Sequence, residues 1–219
     1  MHLPSSILKG FGGAVEYNAS VFFWYFESRK DHRNAPLSLY LGGGPGTTSL
    51  LGVTNENGPC YVNADSNSTR LNPWSWNNNV NMLYIDQPVH VGFSYDELVP
   101  VVSDMLTGAI TPSNGSATSN ATSFAGVLPS QKPESAPNTT TNAAKILWQF
   151  TQIWLQEFPE HQTSDDRVSI WGNSVRFFSF QFSSDLLLKA LVWRALGSWV
   201  SRAIPVSEPK DSKWFHRRY

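Results

Sequence analysis

The chain has 219 residues, with 16 Lys and Arg against 17 Asp and Glu, a net charge of −1 and only 15% charged residues. That balance offers no basic surface for nucleic acid or an anionic membrane. The 41% hydrophobic content, with nine Trp and thirteen Phe, belongs to a globular chain with a core rather than a disordered one, and no stretch is long and apolar enough to span a bilayer.

In chain order, Met1–Ser6 has no basic segment followed by an apolar one, so it does not read as a secretory signal. Five Asn-X-Ser/Thr sequons nevertheless stand at Asn18, Asn67, Asn114, Asn120 and Asn138. With the low charge they point to a chain of the secretory route carrying N-glycans, secreted or vacuolar, whose leader is expected upstream of Met1. Val21–Phe26 is aromatic and β-branched and predicts a first strand, Pro36–Leu41 a second, and Val80–Ile85 a third. The run Gly42-Gly43-Gly44-Pro45-Gly46 stops the second strand. The lone cysteine, Cys60, is either a buried free thiol or half of a disulfide.

From 103 to 142 the chain is Ser, Thr, Asn, Pro and Gly, with Asp104, Lys132 and Glu134 as its charges. This composition predicts a poorly ordered, glycosylated surface insertion. Leu147, Phe150, Trp154 and Phe158 then recur at helical spacing, which predicts a helix over Ala143–Phe158 closed by Pro159. Val168–Trp171 predicts a fourth strand, and Asp185–Ile204 a helix packed on a sheet or, with Lys189, Arg194 and Arg202, one resting on a membrane. Residues 205–219 form a polar tail. Strands alternating with helices predict an α/β layer fold. No His, Cys and Asp cluster has the spacing of a metal site, and Gly42–Gly46 lacks the Gly-Lys-Ser/Thr ending of a phosphate loop. No cofactor is expected.

The chemistry centres on Gly172-Asn173-Ser174-Val175-Arg176, a strand running into a small-residue turn with a serine. A sharp strand-to-helix turn lifts a serine hydroxyl clear of a sheet, and free amides at the helix start can receive an oxyanion. Arg176 occupies the place where such elbows usually carry glycine.

Four further motifs give this serine a context. Leu41-Gly42-Gly43-Gly44-Pro45-Gly46-Thr47-Thr48-Ser49 resembles the L-N-G-G-P-G-x-S-S loop of serine carboxypeptidases, and Glu56-Asn57-Gly58-Pro59 the E-N-G-P that follows it. Asn72–Asn77 resembles N-P-x-S-W-N, and Asp86–Tyr95 resembles D-Q-P-V-G-x-G-F-S-Y. The resemblance is dense over residues 21–96, resumes over 143–174 and fades afterwards. It implies an incomplete α/β-hydrolase domain spanning residues 1–219, and hydrolysis of the C-terminal residue of a peptide through an acyl-enzyme.

The resemblance also assigns roles. Ser174 falls at the nucleophile, and the oxyanion hole would use the backbone N–H groups of Gly44 and Val175. The substrate carboxylate would be met at the positions of Gly42, Glu56 and Asn173. The family has Asn and Glu where this chain has Gly42 and Asn173, so Glu56 alone keeps its type. In the family a carboxyl group donates to the substrate carboxylate only when protonated, which implies a preference for acid conditions. The Tyr-Gly-Gly after the nucleophile is Val175 here, with the glycines replaced by Arg176-Phe177 or deleted. The family's Asp and His follow the serine at a distance. Asp185, Glu208, Asp211 and His216 are the acids and histidine available here, and Asp211 and His216 lie in the polar tail. The expectation is therefore a truncated chain that is inactive as it stands, with Cys60 parted from its partner. Two rivals stay open, a catalytically dead binding protein and an acyltransferase on the same fold. His90, in place of a small residue of the Asp86–Tyr95 motif, is read as a loop variation and His161 as a turn residue.

Overall fold

A computed structural model describes residues 8–12, 15–44, 46–130, 132–137 and 139–174. The expected helix over 185–204 and the 205–219 tail lie outside the described residues.

The chain opens with a hairpin of β1 (Leu8–Gly12) and β2 (Val15–Ala19), followed by β3 (Phe23–Phe26) and β4 (Leu37–Leu41). After the one-turn helix α1 (Leu50–Thr54) come the paired strands β5 (Cys60–Val62) and β6 (Thr69–Leu71), then β7 (Asn81–Ile85). Next are β8 (Leu98–Asp104), β9 (Ile110–Pro112) and β10 (Ser123–Pro129), the long helix α2 (Thr140–Glu157), and β11 (Val168–Gly172).

The central sheet has the order β11-β4-β7-β3. Strands β11, β4 and β7 run parallel, and β3 is antiparallel to β7. β4 and β7 are buried at all five positions each. A strand covered on both faces reads as a continuous apolar run, which is how Leu37–Leu41 and Asn81–Ile85 read. The polar exceptions are Ser38, whose hydroxyl pairs with that of Ser169, and Asn81, which is wholly buried with its side chain bonded at both ends. Its carbonyl accepts from the Ser28 amide at 2.9 Å, and its Nδ2 donates to the carbonyls of His32 and Ala35.

One face of the sheet packs Leu37, Leu39, Leu41, Leu83 and Ile85 against Leu147, Phe150, Trp154 and Phe158 of the α2 segment. This is the helical stripe expected from the sequence. The Thr139 hydroxyl caps α2 by accepting from the Asn142 amide at 3.2 Å. Phe23 of β3 meets Phe150, Trp154 and Phe158, and Trp154 stacks on Phe158 at 4.9 Å between ring centroids. The opposite face carries Tyr40, Met82 and Tyr84 under Val53 of α1.

The sequence expectation for residues 103–142 needs correction. Rather than an irregular segment, β8, β9 and β10 form a three-stranded antiparallel sheet in the order β10-β8-β9. Val101 is the one buried residue of its strands and the rest are exposed or half-exposed, so there is little apolar burial to mark them and backbone pairing makes the sheet.

Candidate active site

Strands β11, β4 and β7 end side by side, and the loops at their carboxyl ends meet there. β4 runs into the glycine loop at Gly42, β7 into Asp86, and β11 into Asn173 and Ser174. In an open parallel sheet this edge is where ligands bind. The Asn173 amide extends the β4–β11 pairing by donating to the Leu41 carbonyl at 3.1 Å, which fixes the approach of β11 to the loop.

Ser174 is exposed and has φ of 55°. A left-handed serine costs about 1–2 kcal/mol relative to its ordinary conformation. The strained turn is what an elbow needs to project a side chain from a strand end. The glycine loop lies directly against it. A Cβ built on Gly43 would stand 3.2 Å from the Ser174 Cβ and 3.0 Å from the Asn173 carbonyl oxygen, so the loop approaches this closely only with glycine there. Gly44 follows with φ of 114°. The other expected oxyanion donor, Val175, lies outside the described residues.

Gly42 has no room for a side chain. Its Cβ would meet the carbonyl oxygens of Thr47 and Thr48 at 2.7 and 2.9 Å. The Asn that the family resemblance expects here is therefore excluded by the backbone of this loop, as well as being absent from the sequence.

Glu56 and Asn173, 117 positions apart in sequence, are brought together through a residue that the sequence reading did not single out. The buried Tyr40 hydroxyl donates to Glu56 Oε2 at 2.8 Å, and Asn173 Nδ2 lies 3.4 Å from the same hydroxyl oxygen. Burial, reinforced by the hydrogen bond and charge of Glu56, pushes the Tyr40 phenol up to about 12, so it keeps its proton. Its single hydrogen is committed to Glu56, and it can only accept from Asn173. Among the described residues, the Asn173 side chain has no other hydrogen-bond partner. Tyr40 and Tyr84 also pack ring against ring at 5.3 Å, and Tyr84 donates to Asn57 at 3.1 Å. A signal for Tyr40 existed in the alternation of β4, which sets it on the face opposite Leu39 and Leu41.

His90 pairs with Asp96 at 2.9 Å, and His161 Nδ1 with the Tyr25 hydroxyl at 3.1 Å. Burial opposes ionisation of Asp96, but hydrogen bonds from Ser130, the Glu97 amide, Ser135 and His90 outweigh it and hold the carboxyl well below the usual range. Cys60 is a half-buried free thiol.

A parallel sheet with a strained serine at one strand end and a glycine loop against it defines part of an α/β-hydrolase. The serine carboxypeptidase profile matches residues 5–175. The chain belongs to the serine carboxypeptidase family. It is 51% identical over 177 residues to carboxypeptidase S1 homolog A of Arthroderma otae, covering 80% of this chain and 27% of that protein. It is 33% identical over 170 residues to carboxypeptidase Y of Komagataella phaffii, covering 76% of this chain and 25% of that one. The chain thus spans about a quarter of the length of these relatives. Among solved structures, Kex1Δp, a prohormone-processing carboxypeptidase of Saccharomyces cerevisiae, aligns with a TM-score of 0.56 at 22% identity, over 78% of this chain and 30% of that one. That likeness supports the fold.

Proposed function

We propose that these residues are the nucleophile side of a serine carboxypeptidase, which releases the C-terminal residue of a peptide through an acyl-enzyme on Ser174. The observation that carries this reading is the left-handed Ser174 at the end of β11 with its Cβ against the glycine loop. The Ser174 oxygen attacks the last peptide carbonyl, the leaving amine takes a proton, and water then releases the acyl group. Amides of the loop at Gly44 and of Val175 receive the oxyanion. Asn173 presents an N–H to the terminal carboxylate, held in place by Tyr40 and, behind it, Glu56. An amide donor does not titrate, so this contact persists at neutral pH.

Among the described residues, His90 is paired with Asp96 and His161 with Tyr25. The closed space at Gly42, where the family's carboxylate-binding Asn has no room, favours a second reading, a carboxypeptidase-like binding protein. A fluorophosphonate probe separates the two. Labelling that maps to Ser174 by peptide mass spectrometry and vanishes in Ser174→Ala supports the enzyme. An unlabelled but folded chain that still binds peptides through their free C-terminus supports the binding protein.

We also propose the secretory route, outside the cell or in a vacuole. Three of the five sequon asparagines, Asn67, Asn114 and Asn120, are exposed and accept a glycan without unfolding. Protein made in a secreting eukaryotic host is expected to lose mass on treatment with peptide N-glycosidase. An unchanged mass counts against the glycan reading.

A further inference from the structure

The Asp86 carboxyl group is among the most buried polar groups of the chain, at 1% exposure, yet no step above uses it. Its Oδ1 accepts from the Thr48 hydroxyl at 2.6 Å and the Ser49 amide at 2.7 Å. Its Oδ2 accepts from the Phe93 amide at 3.1 Å. The approach on that side depends on Gly92, whose Cβ would fall 1.9 Å from Oδ2. The next link runs through Ser49, whose hydroxyl accepts from the Gly42 amide at 2.8 Å and donates to the Ile85 carbonyl. At the end of β7 the Asp86 carboxyl group thus ties the Thr48–Ser49 end of the glycine loop to the central strand, and it fixes the residue, Ser49, whose hydroxyl links the Gly42 end to the Ile85 carbonyl. Gly43, inside that span, is the residue in contact with Ser174.

We infer that Asp86 is a positioning residue, which sets the amides of the glycine loop at their working distance from Ser174. This rests on the reading of that loop as the oxyanion side, and it concerns a group that touches no substrate. The physical argument is one of count. The loop from Gly42 to Gly46 has no side chains besides Pro45 to pack, so its place is held by hydrogen bonds at its two ends: the Gly42 end through the Ser49 hydroxyl to the Ile85 carbonyl, and the Thr48–Ser49 end through the Asp86 carboxylate. Loss of the acceptors would free the loop while leaving the sheet beneath it intact, because β4 and β7 are held by their own ladder and by apolar burial.

Native-state amide exchange on the whole chain tests this, paired with the rate of fluorophosphonate attachment at Ser174. In Asp86→Ala, exchange at Ser49 and Phe93, whose amides lose their acceptor, should rise about tenfold or more, the scale of one lost hydrogen bond. Leu39 and Leu83 in the sheet should keep their wild-type rates, and labelling of Ser174 should slow. If Asp86→Ala does not fold, Asp86→Asn carries the test. Whichever way its amide turns, an NH2 group faces a donor, so Ser49 or Phe93 must lose protection. Wild-type exchange at Ser49 and Phe93 in a folded variant overturns the inference. So does equal acceleration of Leu39 and Leu83, which would mark a general structural role, or labelling at the wild-type rate. A wild-type chain that takes no probe at Ser174 sinks the catalytic reading alone, and the exchange data then still decide whether Asp86 holds the loop.

Discussion

The central sheet and the sheet of β8, β9 and β10 are both built from short strands, but different forces hold them. In the central sheet, β4 and β7 bury every residue, and two apolar layers close on them. Each fully buried Leu or Ile there contributes about 1.5–3 kcal/mol. In the smaller sheet Val101 is buried, while Leu98, Ile110, Phe124 and Val127 are exposed. That sheet hangs on its backbone ladder and on its junction with the rest of the chain. At that junction Asp96 receives the Ser130 hydroxyl and pairs with His90. Burial makes one region intolerant of change and able to hold a strained serine. Its absence leaves the other tolerant, which suits a segment with two exposed sequons, Asn114 and Asn120.

The largest effect should come from the packed side. Trp154→Ala removes a side chain that is 2% exposed and touches Phe23, Tyr25 and Phe158. A loss of about 3–5 kcal/mol is expected in urea unfolding. A value under 1 kcal/mol would mean that α2 does not lie on this face.

Gly42→Asn, which restores the residue expected from the family resemblance, should destabilise by about 1–3 kcal/mol, because its Cβ overlaps two carbonyl oxygens. It should not improve binding of peptides with a free C-terminus, as titration calorimetry would show. Tighter binding at unchanged stability would contradict the closed geometry of the loop.

The junction should respond to acid. The folded Asp96 carboxyl titrates below its unfolded counterpart, so it contributes stability above the unfolded value of about 3.9 and loses it as pH falls further. Melting temperatures of the wild type and Asp96→Asn should therefore differ at pH 6, with the gap unchanged down to about pH 4 and narrowing progressively as pH falls further. A gap that does not narrow at all between about pH 4 and pH 2 would break this assignment.

The smallest effect belongs to the exposed sheet. Phe124→Ser should change stability by no more than about 0.5 kcal/mol in the same urea assay. A loss of 2 kcal/mol would show that this face is covered.

The part of the molecule legible from sequence is the part with strong period or strong motif. Leu37–Leu41 and Asn81–Ile85 read as buried strands because both faces are covered, and α2 read as a helix because its apolar residues share one stripe. The site loops were legible as motifs around Gly42–Gly46, Asp86 and Ser174. The hairpin of β1 and β2, the pair of β5 and β6, and the three exposed strands were not. Short strands with solvated faces lack the alternation that betrays them.

The amino-acid sequence by itself determined the family, the buried strands and which residues could do chemistry, because side-chain type and spacing are local properties. Tertiary structure alone decided that Tyr40 links Glu56 to Asn173, that Gly42 has no space for a side chain, and that Asp86 receives Thr48 and Ser49 after the glycine loop. Those facts depend on distances between residues up to 133 positions apart. Such distances exist only once parallel strands have brought their carboxyl ends to one edge.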